Sequence, residues 1–415
     1  MAAAYVFTLA IVIGGLPVTV YAQKHGQNAQ TQSTIPIDNR RPDELRPKGL
    51  QWRGFLISPK LVSELRYSDN IFNTNTDEES DLIFTLQPEL SLKKEYRSHQ
   101  FKLALEGNLE RHLDNTEQST DNLDFRSDNR LQITRRMAIP LNFNISRQEV
   151  RRSTPGAPEF TKEPIQETEY DIESGLKYRF NRLNLTMLGS YSNINFDDGT
   201  SRLTGNTINF SQNDSEEYRL SASASYDLRP SHSLFTRFSF LRSEFDERQE
   251  RDNRQYGILA GLKTEYKDMI FGRIGAGYFT QDFDANNIER TNRFDFEADL
   301  EFLVTPKLLL SLKGAREVDQ SNEFSQGIVN TEFELGYDYE LQHNLYTAGF
   351  VNFENDDIPD NNRSDDTYTF GLSLRYLHGR NFTSHLKFRH KTRDSISSTN
   401  EFDRNSIIYT LTSQL

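Results

Sequence analysis

Apolar and polar residues alternate along almost the whole chain, from Phe55 to the final residue, Leu415. Between Leu82 and Leu92, for example, every even-numbered residue is Leu, Phe or Pro, whereas the residues between them include Thr, Gln, Glu and Ser. Side chains of a β-strand point alternately to its two faces, so this period of two predicts strands with one apolar and one polar face. No segment beyond Phe55 shows a convincing helical period, and an all-β protein is therefore predicted.

The segments between the predicted strands alternate between tight turns and long polar loops. Eight tight turns and nine long loops separate eighteen strands. An even number of antiparallel strands, with short periplasmic turns at one end and longer extracellular loops at the other, is typical of a transmembrane up-and-down β-barrel of the outer membrane. The chain from residue 55 to 415 allows about 20 residues for each strand and its connection, which is enough for the roughly 9–11 that cross the bilayer.

A soluble β-sandwich would also alternate, but it would not place aromatic residues at both ends of its apolar faces. Aromatic belts of that kind mark the two interfaces of a membrane. Near the tight turns lie Tyr178, Phe180, Tyr226, Tyr266, Phe302, Tyr339 and Tyr376. Near the long loops lie Tyr67, Phe125, Tyr170, Tyr191, Tyr218, Tyr256, Tyr278, Phe294 and Tyr368. The aromatic positions therefore favour the barrel.

The composition agrees with a chain that has no large packed core. Of the 415 residues, 35% are hydrophobic and 26% charged, with no cysteine, one tryptophan, 29 phenylalanines and 18 tyrosines. Disordered chains are poor in aromatic residues. A closed barrel explains the shortage of aliphatic residues, because its backbone groups pair within the sheet and its polar face meets water. The net charge of −13 at pH 7 argues against nucleic acid as a partner.

The first 54 residues precede the alternating pattern. An apolar stretch from Tyr5 to Val20 ends in Val20-Tyr21-Ala22, a small-x-small site that predicts a cleaved signal peptide. A retained membrane anchor is the alternative. The polar, Pro-containing and partly basic stretch that follows predicts a flexible periplasmic lead-in. The predicted organisation is a signal peptide over 1–22, a lead-in over 23–54 and an outer-membrane barrel over 55–415.

The polar faces of the strands carry charges of both signs, which a barrel would direct into its lumen. Eighteen strands leave a water-filled interior rather than a packed one. The charged side chains could select a charged or hydroxyl-rich solute, or they could form cross-strand ion pairs that only stabilise the wall. The candidate lumen-lining residues are Arg126, Arg130, Asp171, Glu173, Arg179, Arg219, Arg237, Arg273, Asp295, Glu297, Asp299, Glu301, Glu332, Glu334, Arg375, Lys387 and Arg389.

Two loops have a distinctive composition. The loop over 151–166 contains Pro155-Gly156-Ala157-Pro158 and could either fold inward as a constriction or cap the outer rim. The loop predicted over 355–365 is rich in Asp. It is interpreted as a solvated acidic loop rather than a cation site, because it lacks the ligand spacing of a calcium loop.

Patterns for catalysis and metal binding are weak. The eight histidines are scattered over turns, strand ends and the lead-in, and none accompanies a motif that supplies a nucleophile and an orienting group. His385 is expected to face the lumen beside Lys387. With no cysteine and no cluster of histidines, neither a metal nor a cofactor is predicted. We predict a protein that is not an enzyme, with a barrel hydrolase as the minor alternative.

The first predicted hairpin carries a motif. A proline-led strand ends in a Tyr-x-Asp-Asn-aliphatic exit, and the returning strand contains Ser-Asp and then Pro. The motif residues are Pro59, Tyr67, Asp69, Asn70, Asp81 and Pro88. This arrangement resembles the start of the family known as putative beta-barrel porin 2. The resemblance implies an outer-membrane barrel often associated with exopolysaccharide or capsule export, and it supplies no catalytic residues.

These observations leave two transport functions open. One is passage of a polysaccharide or oligosaccharide, which the resemblance implies and which a mixed-charge, aromatic-bearing lumen would suit. The other is a general diffusion porin or a structural barrel without a specific substrate. The expected partners are outer-membrane lipid and lipopolysaccharide, the barrel assembly machinery through the C-terminal strand, and components of a polysaccharide-export system.

Overall fold

Eighteen long antiparallel strands form one closed sheet, which confirms the predicted up-and-down barrel. A computed structural model describes residues 43–150, 161–202, 204–267, 269–285, 288, 290–319, 327–358 and 363–415. The predicted signal peptide, residues 1–22, and residues 23–42 of the lead-in lie outside the described residues. No helix in the described ranges is long and apolar enough to cross a membrane.

Each barrel strand is joined to the next along the chain, and the tight turns and long loops alternate around the barrel. Short strands β1, β9 and β10 lie outside the set of eighteen. The strands are β1 Leu50–Trp52, β2 Phe55–Ser68, β3 Asp81–Tyr96, β4 His99–His112, β5 Thr120–Thr134, β6 Met137–Glu149, β7 Gln166–Phe180, β8 Leu183–Phe196, β9 Gly199–Thr200, β10 Thr207–Ile208, β11 Ser215–Arg229, β12 His232–Phe245, β13 Asn253–Tyr266, β14 Ile270–Phe283, β15 Thr291–Thr305, β16 Leu308–Asp319, β17 Ile328–Gln342, β18 Leu345–Ile358, β19 Arg363–Leu377, β20 Phe382–Ser395 and β21 Phe402–Gln414.

The two faces of the sheet differ as the alternation predicts. On β17, Leu335 is 60% exposed on the outer face, whereas its neighbour Glu334 is 7% exposed on the inner face. An outer face of exposed apolar residues suits lipid, because a charge at the bilayer midplane would cost about 2–4 kcal/mol there. The exposed tyrosines also lie on the outer face, and they are Tyr67, Tyr96, Tyr170, Tyr218, Tyr226, Tyr256, Tyr266, Tyr278, Tyr339, Tyr368, Tyr376 and Tyr409.

The barrel closes where β2 pairs with β21. Residues Lys60 to Ser68 of β2 pair with β21, whereas the pairing with β3 on the other side begins already at Leu56. Because β21 ends opposite Lys60, the residues of β2 that precede Lys60 have no partner in β21. Strand β1 occupies this open edge of β2, with Trp52 opposite Phe55.

The end of the predicted lead-in is thus ordered over its described residues, 43–54, which differs from the flexible segment expected. Leu45 packs against the buried side chains of Tyr346 and Leu377 at the short-turn end. The Arg380 guanidinium donates a hydrogen bond to the carbonyl oxygen of Glu44, at 3.3 Å. The expectation failed because the open edge of β2 supplies partners for the backbone groups of β1, which no local sequence pattern reveals.

The strands also extend further into the acidic segment than predicted. Strand β18 continues to Ile358 and β19 begins at Arg363, so Asp356, Asp357 and Asp365 of the predicted solvated loop lie in strands, whereas Asp360 lies outside the described residues. Asp356 and Asp365 are 3% and 0% exposed. The interpretation as a solvated loop was wrong, because a run of charged residues looks like a loop although alternate positions of a barrel strand face a polar interior.

Several long loops pack onto the rim of the barrel. Short 3-10 turns precede four strands that begin at the long-loop end, namely β5, β11, β13 and β21. These turns span Thr116–Gln118, Ser211–Asn213, Gln249–Arg251 and Ser398–Asn400. Ile165, at the end of the predicted constriction loop, packs with Ile194 and Phe196 on the inner face of β8. The tip of that loop, residues 151–160, lies outside the described residues.

Candidate pore lining

All seventeen candidate lining residues lie at strand positions that alternate with the exposed apolar ones. Each therefore points away from the outer face and towards the interior of the barrel. On β5, Arg126 and Arg130 alternate with outward residues such as Phe125, and on β7 Asp171, Glu173 and Arg179 have the same placement. The rest lie at equivalent positions, namely Arg219, Arg237, Arg273, Asp295, Glu297, Asp299, Glu301, Glu332, Glu334, Arg375, Lys387 and Arg389.

One group of these residues forms ion pairs, three of its members linking β12, β14 and β15 and a fourth pairing within β11. Glu297 on β15 accepts a hydrogen bond from Arg237 on β12 at 2.7 Å, and it also lies 3.5 Å from Arg273 on β14. On β11, the Arg219 guanidinium pairs with the buried carboxylate of Glu217 two residues away. This side of the wall therefore consists of matched charges, which corresponds to the stabilising alternative left open by the sequence.

A second group forms an acidic sector on β17 and β18. Glu332 lies opposite Glu354, and Glu334 lies opposite Asn352. Amide groups separate these carboxylates. The side-chain amide of Asn330 donates to Glu354 at 3.0 Å and to Asp356 at 2.8 Å, and the amide of Asn352 donates to Glu332. Such amides satisfy neighbouring carboxylates without adding positive charge.

A basic sector follows two strands further around the barrel. The inward positions of β20 include the basic or titratable residues His385, Lys387, Arg389, Lys391 and Arg393. Lys387 and Arg389 are among the predicted lining residues, and His385 lies on the same face, as expected. Because strands lie about 4.8 Å apart, the acidic residues of β18 and the basic residues of β20 face each other across a strip about 10 Å wide.

The strip between the two sectors is lined by small side chains of β19. Its inward residues include Thr367, Thr369, Gly371 and Ser373. The register places Glu354 opposite Thr367 and Thr367 opposite Arg393, so acid, hydroxyl and base lie in one row across the wall. The inward charges of β17, β18 and β20 are thus sorted by strand. Along the sequence as a whole, positive and negative residues are mixed.

A cavity of about 100 Å³ lies on the inner side of the ion-paired wall. It is lined by residues of strands from β7 to β17, and these include Arg237, Gln255, Leu259, Phe279, Arg293 and Glu297. Charged and apolar side chains meet there, because Leu259 and Phe279 occupy inward positions of β13 and β14. A small solute could contact both kinds of surface.

Sequence reasoning missed the inward-facing apolar residues. Ile194 and Phe196 at the loop end of β8 are 1% and 6% exposed, and Phe245 and Phe402 at the same end of β12 and β21 are also buried. The sequence contained a signal for them, because these apolar residues occupy positions of the alternation that are otherwise polar. Apolar residues on that phase next to a long loop indicate that the loop folds over them.

Among the described residues, no group of three or more His, Asp or Glu side chains is arranged to hold a metal ion. Among the described histidines, His112 at the loop end of β4 lies beside two carboxylates. Its ring nitrogens lie 3.1 Å from the Asp81 carboxylate and 3.2 Å from that of Glu110. Asp81 also accepts the backbone N–H groups of residues 113, 114 and 115. These contacts hold the first residues of the β4–β5 loop against the start of β3.

The motif residues of the first hairpin divide between the outer face and the closing seam. Pro59, Tyr67 and Pro88 lie in β2 and β3, with Pro59 and Tyr67 on the outer face. Asp69 accepts hydrogen bonds from the backbone N–H and side-chain amide of Asn405, at 2.7 and 2.8 Å. Asn70 is completely buried and donates to the carbonyl oxygen of Asp403 at 2.9 Å. Asp69 and Asn70 therefore join the end of β2 to the start of β21.

The loop rim contains carboxylates with shifted acidity. Burial raises the pKa of Asp214 to about 6, although its hydrogen bond from the backbone N–H of Phe196 opposes the shift. Burial likewise raises the pKa of Asp252. The hydrogen bond from Arg242, 2.7 Å away, lowers the pKa of Asp284. The rim charges are thus set by local contacts with the loops.

Several solved structures are similar to this chain. Among solved structures, OccK2 (OpdF) of Pseudomonas aeruginosa is 13% identical, with 88% of this chain and 100% of that chain covered and a TM-score of 0.49. OpdK of the same organism, solved with vanillate, is 12% identical over 86% and 99% of the two chains, with a TM-score of 0.47. The BenF-like porin of Pseudomonas fluorescens Pf-5 gives the same four values as OpdK.

No curated protein matches the chain significantly. The family model described as "Putative beta-barrel porin 2" matches residues 42–415. That range covers every barrel strand, both charged sectors and the motif of the first hairpin. The chain belongs to the putative beta-barrel porin 2 family.

Proposed function

We propose that this outer-membrane barrel is a passive channel for small hydrophilic solutes, the second of the two transport functions that the sequence left open. The observation that carries the proposal is the sorting of the inner charges into an acidic sector on β17 and β18 and a basic sector on β20. Both sectors face the interior of a closed barrel of eighteen strands, and barrels of this size leave an aqueous channel.

The spacing of the sectors supports transport more than wall stabilisation alone. Glu354 and Arg393 lie two strands apart, with Thr367 between them. Elsewhere in the wall, opposite charges lie on adjacent strands at ion-pair distance, as Glu297 and Arg273 do at 3.5 Å. Separated sectors give a passing ion of either sign a favourable surface, which suits a channel of weak selectivity.

The aromatic residues weigh against passage of a polysaccharide. Sugar rings would pack on aromatic side chains that are accessible from the lumen, and the exposed tyrosines of this barrel lie on the outer face instead. The expectation of an aromatic-bearing lumen relied on the total number of aromatics. The period of two assigns most of them to the lipid side, since their partners on the opposite face are polar.

A liposome-swelling assay with the purified full-length protein tests the proposal. A monosaccharide, a disaccharide and a trisaccharide at equal osmolarity should enter at rates that fall with size. The heat-denatured protein serves as the control for leakage. Swelling rates equal to those of protein-free liposomes for every sugar would contradict a passive channel. Block of ion current by long acidic glycans, without permeation of small sugars, would favour the polysaccharide function instead.

A further inference from the structure

The tight-turn rim of this acidic protein is strongly basic. Its exposed residues include eight Lys or Arg side chains that have no ion-pair partner among the described side chains. They are Arg53, Arg97, Arg135, Arg136, Arg182, Arg229, Lys267 and Lys307. By sequence, the eight turns contain one carboxylate, Asp268, whereas the long loops at the other end are rich in Asp and Glu. With a net charge of −13 for the whole chain, the basic residues are concentrated at one end.

The basic side chains of this rim lie against the aromatic belt. The Arg97 guanidinium lies 5.4 Å from the centre of the Tyr96 ring, and the Lys267 ammonium lies 5.1 Å from the Tyr266 ring. Arg53 is similarly placed over Trp52, at 5.2 Å. Tyr and Trp rings of such belts lie at the level of the lipid headgroups. The cations are therefore held at the depth at which phospholipid phosphates lie.

The backbone of the turns gives a second, independent observation. Arg53, Arg97 and Lys267 have φ angles of 48°, 56° and 52°, in the left-handed region. Glycine or asparagine adopts this conformation with less strain, and both are common in such turns. Only one of the equivalent turns uses an asparagine at such an angle, Asn181. Turn geometry alone therefore does not explain why basic residues occupy these positions.

We infer that the tight-turn rim binds the phosphate groups of anionic phospholipids in the periplasmic leaflet of the membrane. Charge complementarity and the depth set by the aromatic belt both favour a lipid phosphate. Arginine and lysine bind phosphate through charge-assisted hydrogen bonds. Binding at several turns around the circumference collects a ring of anionic lipids under the barrel.

Trp52 makes the inference testable, because it is the single tryptophan of the chain and is 58% exposed on β1 at this rim. The full-length protein is reconstituted into phosphatidylcholine vesicles that contain equal amounts of phosphatidylglycerol. Either the phosphatidylglycerol or the phosphatidylcholine is brominated in its acyl chains. The ratio of Trp52 quenching by the two brominated lipids measures the local enrichment of the anionic lipid. The ratio is taken within each variant, so changes in the intrinsic emission of Trp52 cancel.

For the wild type we expect a ratio of about five at low salt, because one basic residue near the surface attracts anionic lipid by about that factor. The ratio should approach one in the variant Arg53→Gln with Arg97→Asn, which removes the charge beside Trp52 and the charge of the β3–β4 turn. The control, Lys267→Gln with Lys307→Gln, removes the same charge from distant turns and should keep the wild-type ratio. Asparagine adopts the left-handed backbone of residue 97 with little strain. A decrease of the quenching ratio in this variant would therefore not reflect a strained turn.

Three results would overturn the inference. The first is a wild-type ratio near one at low salt. The second is an unchanged ratio in the Arg53 and Arg97 variant. The third is an equal loss in the control variant, which would indicate an effect of net charge only. If the rim instead binds an acidic polymer of the periplasm, the wild type would show no lipid preference but would sediment with that polymer, and the lipid inference would be wrong.

Discussion

Asn70 offers a direct test of how the barrel closes. Its side chain is completely buried between the end of β2 and the start of β21. The amide donates to the carbonyl oxygens of Thr74 at 2.7 Å and Asp403 at 2.9 Å, and its oxygen accepts the backbone N–H of Thr74 at 3.1 Å. Together with Asp69, Asn70 holds the end of β2 to the start of β21 at this rim.

The substitution Asn70→Ala removes all three hydrogen bonds and leaves their backbone partners without a substitute. At about 1 kcal/mol net for each bond, the free energy of unfolding should fall by about 3 kcal/mol. Guanidinium unfolding of the protein in detergent micelles, followed by the mobility shift of the folded barrel in unheated gels, measures this loss. The denaturant midpoint should fall while the slope of the transition stays the same, because the surface exposed on unfolding hardly changes.

Asn75 provides the matched control in the same loop. Its side chain is exposed and donates to the carbonyl oxygen of Ser398 at 2.9 Å. Asn75→Ala should therefore cost less than about 1 kcal/mol. A loss of the same size in both variants, or no measurable loss in Asn70→Ala, would refute the conclusion that the buried Asn70 fastens the closing seam.

Three further predictions concern the rim, the wall and the packing of the lumen. Since the folded-state pKa of Asp214 lies above its ordinary value of 3.8, at about 6, stability should decrease as the pH rises from about 4 to 6. Asp214→Asn should remove this decrease, about 1 kcal/mol after allowance for solvent screening, in unfolding midpoints measured across that range. Glu297→Gln should cost about 2 kcal/mol of stability, because Arg237 loses its charged partner, and it should raise anion permeability in bilayer recordings. Gly371→Leu should cost about 1–3 kcal/mol, because a Cβ atom there would collide with the Phe350 ring, and the double variant with Phe350→Ala should recover most of the loss in the same unfolding assay.

The strand number, the faces of the strands and the family were predictable from the sequence. All three depend on local information, namely the period of two, the alternation of turns with loops, and a short motif in the first hairpin. The charged residues of β20 also alternate visibly in the sequence. Their meaning is not local, because the opposing sector on β18 is identified only when the register places Glu354, Thr367 and Arg393 in one row.

Other features could not be predicted because they depend on contacts between distant segments. Strand β1 forms only because β21 does not reach the first residues of β2. The edge of β2 that stays open there pairs with β1. Asp356 and Asp365 are buried because the barrel turns alternate positions inward, whereas their composition resembles a loop. Ile194 and Phe196 break the polar phase of β8, and their role becomes clear only when Ile165 packs against them.

The most direct test of the account is the ion selectivity of single channels in planar bilayers. Under a salt gradient, the wild-type protein should conduct steadily with a small reversal potential, because the acidic and basic sectors oppose each other. Lys387→Gln with Arg389→Gln should shift the reversal potential towards cation selectivity, and Glu332→Gln with Glu334→Gln should shift it in the opposite direction. Absence of conductance in the folded wild type, or identical reversal potentials in all three proteins, would contradict a water-filled lumen lined by sorted charges.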